Sequence, residues 1–367
     1  MGQCSRHHLR TLPFPSRLNM RLLLITQKLD QDDDILGFMH GWVTTLASQV
    51  EHVTVICLYK GSVDVPANVT VYSLGKEERR SRVQYLRRFF GALWRARGTY
   101  DTVLVHMNVE YILLAGWLWR LTGKRVFLWY NHAMGGKRLR IASWFTHHVF
   151  HTSPHAYSAR FTRAVRMPVG VDTHLFHPDP TTAVDPSSIL CIGRIAPIKQ
   201  LEILVEAISI LKDRDIKCTL DIYGSAQVQD IAYYRHLREQ AKPLENAGYV
   251  KFNGSVANRL TPPLFQSHAI VANMSPDGLY DKTIIEGIAS GCMVLVANTA
   301  MRDILPPVSL FKKGDAQDMA NKLEQILSLS TEARKRHTTQ TRATIEATES
   351  LDCLLRKLLD AMSPKKK

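Results

Sequence analysis

No stretch of this 367-residue sequence supplies the ~18–20 consecutive apolar residues a helix needs to cross a bilayer. The longest apolar run, Tyr111 to Trp119, is ended by Arg120. The first nineteen residues lack the apolar core of a secretory signal and carry Arg6, His7, His8, Arg10 and Arg17 instead. They also miss the Ser/Thr of a myristoylation signal, because Arg6 stands at that position. Residues 1–19 are therefore expected to be a disordered leader, with the folded chain opening at Met20. Cysteine is sparse, and its six occurrences form no C-x-x-C pair (Cys4, Cys57, Cys191, Cys218, Cys292, Cys353). That spacing argues against a zinc or disulfide framework and fits buried free thiols in a reducing cytoplasm. Repeats and low-complexity segments are missing too, apart from the Lys365–Lys367 tail.

Acidic residues are scarce in one half only. Up to Gly170 there are 23 Lys/Arg against 10 Asp/Glu, and from Val171 onward 24 against 23, so the net charge of +14 divides into +13 and +1. An anionic partner for the first half follows from this asymmetry.

At this length two domains are expected, since single cores stop growing at roughly 250–300 residues. Near-continuous apolar runs at 21–26, 53–58, 102–106 and 125–130 read as strands covered on both faces. After a stretch bearing Pro178, Pro180 and Pro186, the series restarts at 189–192, 219–223, 249–252, 269–272 and 293–296. Leu201, Leu204, Val205, Ile208 and Leu211 mark an amphipathic helix between them. The fold class is α/β, with two Rossmann-like domains: 20–170, a linker at 171–186, 187–345, and a C-terminal helix and basic tail at 346–367.

Gly193-Arg194 closes the 189–192 strand, and Lys199 follows five residues after Arg194. Arginine's fork and lysine's point charge at the carboxyl edge of a parallel sheet suit a diphosphate. Asp281 is expected to cap the helix beginning at Lys282, whose amino end favours a phosphate. Lys282 and Glu286, four residues apart, share one helix face. Glu286 is suited to accept hydrogen bonds from ribose hydroxyls. Gly224-Ser225 ends the 219–223 strand on the same sheet edge, where a glycine lets backbone approach a ligand or simply makes a turn. His132 follows the 125–130 strand at the carboxyl edge of the first sheet. The acidic run Asp30–Asp34 reads as a solvated loop rather than a metal site, and His147, His148, His151 and His155 do not form a ligand ladder. The segment Arg79–Arg97 interleaves arginines, Arg87, Arg88 and Arg95 among them, with Leu86, Phe89, Phe90, Leu93 and Trp94. That pattern suits an anionic bilayer, or a helix packed on the first sheet with its arginines in water.

These segments resemble a known family. Gly193-Arg194 with Lys199, Tyr223-Gly224, Phe252-Asn253-Gly254-Ser255-Val256, and Ser275 through Glu286-Gly287-Ile288-Ala289-Ser290-Gly291 are similar to the nucleotide-sugar domain of the retaining family 4 glycosyltransferases. Gly170-Val171-Asp172 with Phe176 is similar to that family's interdomain segment. The resemblance implies the GT-B fold, with a C-terminal helix near Leu351–Met362 crossing back to the first domain. It implies Arg194, Lys199 and His132 as catalytic residues, with Gly193, Gly224, Ser225, Val256, Asp281, Lys282, Thr283 and Glu286 on the donor. It implies no cofactor and no metal, a UDP- or GDP-sugar donor, and a saccharide or polyprenyl-linked acceptor at the cytoplasmic face of a membrane. One departure stands out: the family's first glutamate, separated from the second by seven residues, would fall at Gly278; Asp277 is adjacent, and Asp281-Lys282 resembles a variant among capsular and cell-surface polysaccharide enzymes. A sugar-nucleotide epimerase of the same fold is the nearest alternative reading. A nucleic-acid-binding protein is the other, although no helix-turn-helix, zinc finger or aromatic RNA signature occurs.

Overall fold

Branched and aliphatic runs buried on both faces build two parallel sheets, and the remaining elements cover them. The structure is a computed structural model and describes residues 17–277 and 281–364. The position of the family's first glutamate, the leader up to residue 16 and the lysine tail lie outside the described residues.

The first sheet contains β1 (Leu18–Leu29), β2 (Val50–Lys60), β3 (Val69–Ser73), β4 (Thr102–His106), β5 (Arg125–Trp129), β6 (His148–His151) and β7 (Ala164–Arg166), in the order β3-β2-β1-β4-β5-β6-β7. Leu22, Leu23, Leu24 and Ile25 of β1 are all buried, as a strand sandwiched between helix layers requires. One layer holds α1 (Phe38–Gln49). The other holds α2 (Arg82–Ala96), α3 (Val109–Leu121) and α4 (Lys137–Trp144). Leu18 pairs with Val50, so β1 begins inside the segment assigned to the leader. The edge strand β3 is absent from the expected series, because its half-buried residues carry no continuous apolar run.

The second sheet orders β8 (Asp185–Ile192), β9 (Thr219–Tyr223), β10 (Val250–Gly254), β11 (His268–Asn273) and β12 (Met293–Val296) as β10-β9-β8-β11-β12. Around it lie α5 (Leu201–Asp213), α6 (Ile231–Asn246), α7 (Pro262–Gln266), α8 (Lys282–Ala289), α9 (Ala316–Leu327) and α10 (Thr331–Thr348). Strand order reverses at β8/β11, and parallel α/β sheets bind ligands outside the carboxyl ends of strands at such a switch. The loops after β8 and β11 carry Gly193–Lys199 and Ser275–Asp281.

The last helix, α11 (Leu351–Met362), returns to the first domain. Leu354, Leu355, Leu358, Leu359 and Met362 are buried with Leu22, Leu24, Trp42 and Leu46. Two chain crossings thus join the domains, and they lie side by side. Gly170 and Val171 N–H donate to the Glu349 carbonyl at 3.0 and 3.2 Å, and Leu351 N–H donates to the Val171 carbonyl at 2.7 Å. The Glu349 carboxylate accepts from Val169 N–H at 2.7 Å. Gly170 has φ +74°, and a Cβ there would stand 2.2 Å from Leu354 Cδ2. Only glycine meets both demands.

Candidate active site

The loop after β8 is held by backbone. Gly193 N–H donates to the Tyr223 carbonyl and Ile195 N–H to the Ser225 carbonyl, both at 2.9 Å. Gly224 has φ +154°, and a Cβ on it would meet the Gly193 oxygen at 1.9 Å. Its glycine is required by the crossing of two loops, and Ser225 serves the site through its carbonyl. Val256 is half-buried just past β10 on the same edge.

This scaffold presents Arg194 with a guanidinium that makes no hydrogen bond or ion pair among the described residues. Beside it, the Lys199 ammonium forms an ion pair with Asp281 and donates to Ser275 Oγ at 3.0 Å. Asn273 Nδ2 and Ser275 Oγ also donate to the Asp281 carboxylate, at 2.9 and 3.0 Å. Burial alone would raise the Asp281 pKa, but the Lys199 ammonium and these hydrogen bonds outweigh it and hold it at about 2. The other carboxylate oxygen caps α8 through Thr283 N–H at 3.5 Å, as the helix-start pattern predicts. Thr283 Oγ1 closes the network with Asn273 at 3.2 Å. Asp281 and Thr283 are therefore occupied in orienting Lys199 and the start of α8. Arg194, Lys199, Asn273, Ser275 and Asp281 line one small pocket.

Lys282 and Glu286 face a different cavity. It encloses about 160 Å³ between the domains, lined by Phe38 and Trp42 of α1, Gly170, Asn258, Lys282 and Glu286. The Lys282 ammonium stands 3.7 Å from the Phe38 ring centroid and 5.1 Å from that of Trp42, a cation–π arrangement. It also donates to the Gly170 carbonyl at 3.4 Å. Glu286 is buried, and Asn258 lines the same cavity. Burial pushes its carboxyl well above the usual range, opposed by Lys282, and pushes the Lys282 ammonium down, opposed by Glu286. Behind them, burial lowers the His106 pKa to about 3, with the Lys282 charge adding to the effect. The residues expected to form one constellation thus occupy two adjoining pockets, with the Asp281–Lys282 peptide between them. Helix and sheet approach closely here, since a Cβ on Gly287 would meet Val271 Cγ2 at 2.9 Å.

His132 is exposed just past β5 and stacks edge-on against Tyr130. Asp277, next to the missing glutamate, accepts from Thr299 N–H at 2.6 Å. The acidic run corrects its expected role, because it clasps the second domain. Asp32 pairs with Arg259 at 2.6 Å, Asp34 accepts from Ser255 Oγ at 2.7 Å, and the Asp33 carbonyl accepts from Asn258 N–H at 3.2 Å. The Asp33 side chain is held by Lys28. The arginine-rich helix packs on the first sheet in part, and two of its arginines are tied within the domain. Arg88 grips Glu78 with two hydrogen bonds at 2.9 and 3.0 Å, and Arg95 stacks over Tyr72, leaving Arg87 exposed without either tie. Of the apolar face, Phe89 and Leu93 are buried while Leu86, Phe90 and Trp94 are exposed.

Sequence reasoning missed Asn273, Asn258, Phe38, Trp42 and His106. Asn273 had a signal, a polar residue closing an apolar strand. Phe38 and Trp42 had none, because a cavity-lining aromatic reads like core.

Residues 186–329 match the model of the glycosyl transferases group 1 family. No curated protein of similar sequence matches. Among solved structures, HepE from Anabaena in complex with UDP and glucose is similar at 16% identity and a TM-score of 0.72, covering 93% of this chain and 99% of that one. Sucrose-phosphate synthase from Thermosynechococcus elongatus gives 16%, 0.71, 92% and 98%. A glycosyltransferase from Rickettsia africae gives 16%, 0.70, 94% and 98%. At such identities the likeness concerns the fold. The second domain of this chain thus matches the glycosyl transferases group 1 model, and the molecule has the GT-B fold.

Proposed function

We propose that the chain is a retaining, metal-independent glycosyltransferase. It moves a hexosyl group from a UDP- or GDP-sugar to a saccharide acceptor, carried on an anionic polyprenyl lipid at the cytoplasmic membrane face, in cell-surface polysaccharide or glycolipid synthesis. The observation that carries this reading is the pairing of an unpartnered Arg194 with an oriented Lys199 at the switch point of the second sheet. The UDP and glucose held by HepE favour a uridine nucleotide as donor.

In this reading the bond between the sugar's anomeric carbon and the diphosphate oxygen breaks, and charge builds on the leaving phosphate. Arg194 and Lys199 stabilise it, Lys199 from a position that needs no reorganisation during reaction. Asp281 and Ser275 hold that position and keep the Lys199 ammonium aimed. Glu286, ionised, accepts from the ribose hydroxyls. The acceptor hydroxyl attacks from the face the diphosphate leaves, and its proton passes to the departing phosphate oxygen. His132 stands on the acceptor side of the cleft.

A radiolabelled transfer assay over UDP- and GDP-sugars, with and without chelator, tests it. The expected result is a product with retained anomeric configuration and unchanged turnover in chelator. An altered nucleotide sugar formed without acceptor identifies the epimerase instead.

A further inference from the structure

One surface of the first domain is unlike the rest. Among the charged residues of α3, only Glu110 and Arg120 interrupt an otherwise apolar or small helix. Val109, Ile112, Ala115 and Trp119 are buried against the sheet, yet the opposite side carries Trp117, 50% exposed, and Leu121, 78% exposed. A helix apolar all round is normally covered on every side. The neighbouring helices repeat the pattern. Trp144 at the end of α4 is 73% exposed, and Trp94 on α2 is 69% exposed. The three helices are continuous in space, because the Phe89 and Tyr111 rings lie 4.9 Å apart and Gly116 of α3 packs on Phe145 just past α4. Glu110 is the single acidic residue of all three, against exposed Arg82, Arg87, Arg95, Lys137, Arg138 and Arg140.

The geometry points to this α2–α3–α4 face as a docking surface for an anionic lipid bilayer, with Trp94, Trp117 and Trp144 as its interfacial anchors. Tryptophan combines an apolar body with a polar N–H and concentrates at the membrane–water boundary. The ring of cations supplies complementarity to anionic headgroups. The helices lie flat, with no described helix long and apolar enough to span. This moves the contact from the arginine-rich helix alone to a surface centred on α3, and it stands independently of the donor chemistry.

The test is flotation of the full chain with vesicles of phosphatidylcholine alone and of phosphatidylcholine doped with phosphatidylglycerol, alongside tryptophan emission. Binding to the doped vesicles only, with a blue shift, is expected. The combined Trp94→Ser, Trp117→Ser and Trp144→Ser variant should lose about tenfold or more in partitioning. It should keep the wild-type melting temperature; Trp117→Ser alone serves if the triple variant misfolds. Equal binding to both vesicles, or undiminished binding by the variants, overturns the proposal. So does a dimer in light scattering that the variants abolish, which would make a second copy the partner.

Discussion

The Glu286 carboxyl sits where a carboxylate is costly, and the ribose-accepting role proposed for it requires one. Burial raises its pKa while Lys282, one helical turn away, resists the rise. A raised carboxyl stays neutral at higher pH than an ordinary glutamate, so the ionised, ribose-accepting form is lost as pH falls through that raised value. Donor affinity should therefore weaken on acidification above the ordinary carboxylate range, as calorimetry across pH would record. Lys282→Met removes the opposing charge and should move this transition to higher pH. An unmoved transition would mean that the two groups do not act on each other. Asp281 separates differently. Asn retains the capping oxygen, whereas Ala does not, so Asp281→Ala should cost about 1 kcal/mol more stability than Asp281→Asn in chemical unfolding. Both should impair transfer, because Lys199 loses the anion that aims it.

At the scale of elements, much of the molecule was legible. Strands β1, β2, β4 and β5, and all five strands of the second sheet, appear as apolar runs, because burial on both faces removes alternation. Residues 219–223 and 293–296 coincide with β9 and β12. β3 escaped because an edge strand needs no such run. The capped start of α8 was legible because Asp281 is a cap wherever its helix packs. The division of Lys282 and Glu286 from Arg194 and Lys199 was not, since local spacing does not say which cavity each side of a helix start will face. The aromatic residues of α2 misled for a similar reason: helical spacing groups them on one broad face, and packing buries only its centre. The crossing helix α11 permits a prediction of its own. Leu358 is fully buried in the first domain's core. Leu358→Ala should cost about 2–5 kcal/mol, and urea unfolding should assign that loss to the first domain although the residue follows the second in sequence.

The whole molecule is two domains joined at paired crossings and clasped at the mouth of the cleft. The Trp42 indole N–H and the Lys282 ammonium, from opposite domains, both donate to the Gly170 carbonyl, at 3.3 and 3.4 Å. The clasp between Asp32–Asp34 and Ser255–Arg259 is exposed, and exposed ion pairs contribute only ~0–1 kcal/mol. Replacing Asp32 and Arg259 by Ala should leave Tm nearly unchanged while speeding amide exchange at Asn258, whose N–H bonds to Asp33. Exchange at the wild-type rate would show that the clasp does not control opening. The bilayer contact proposed above gives the basic first half a use in the charged face of α2 and α4. The proposed chemistry requires Arg194, Lys199 and Glu286 to hold one nucleoside diphosphate between them. Titration calorimetry of UDP and GDP into wild-type, Arg194→Ala and Glu286→Ala proteins tests this most directly. The prediction is saturable binding of one nucleotide by the wild-type chain, lost in both variants at unchanged Tm; wild-type affinity in either variant would contradict it.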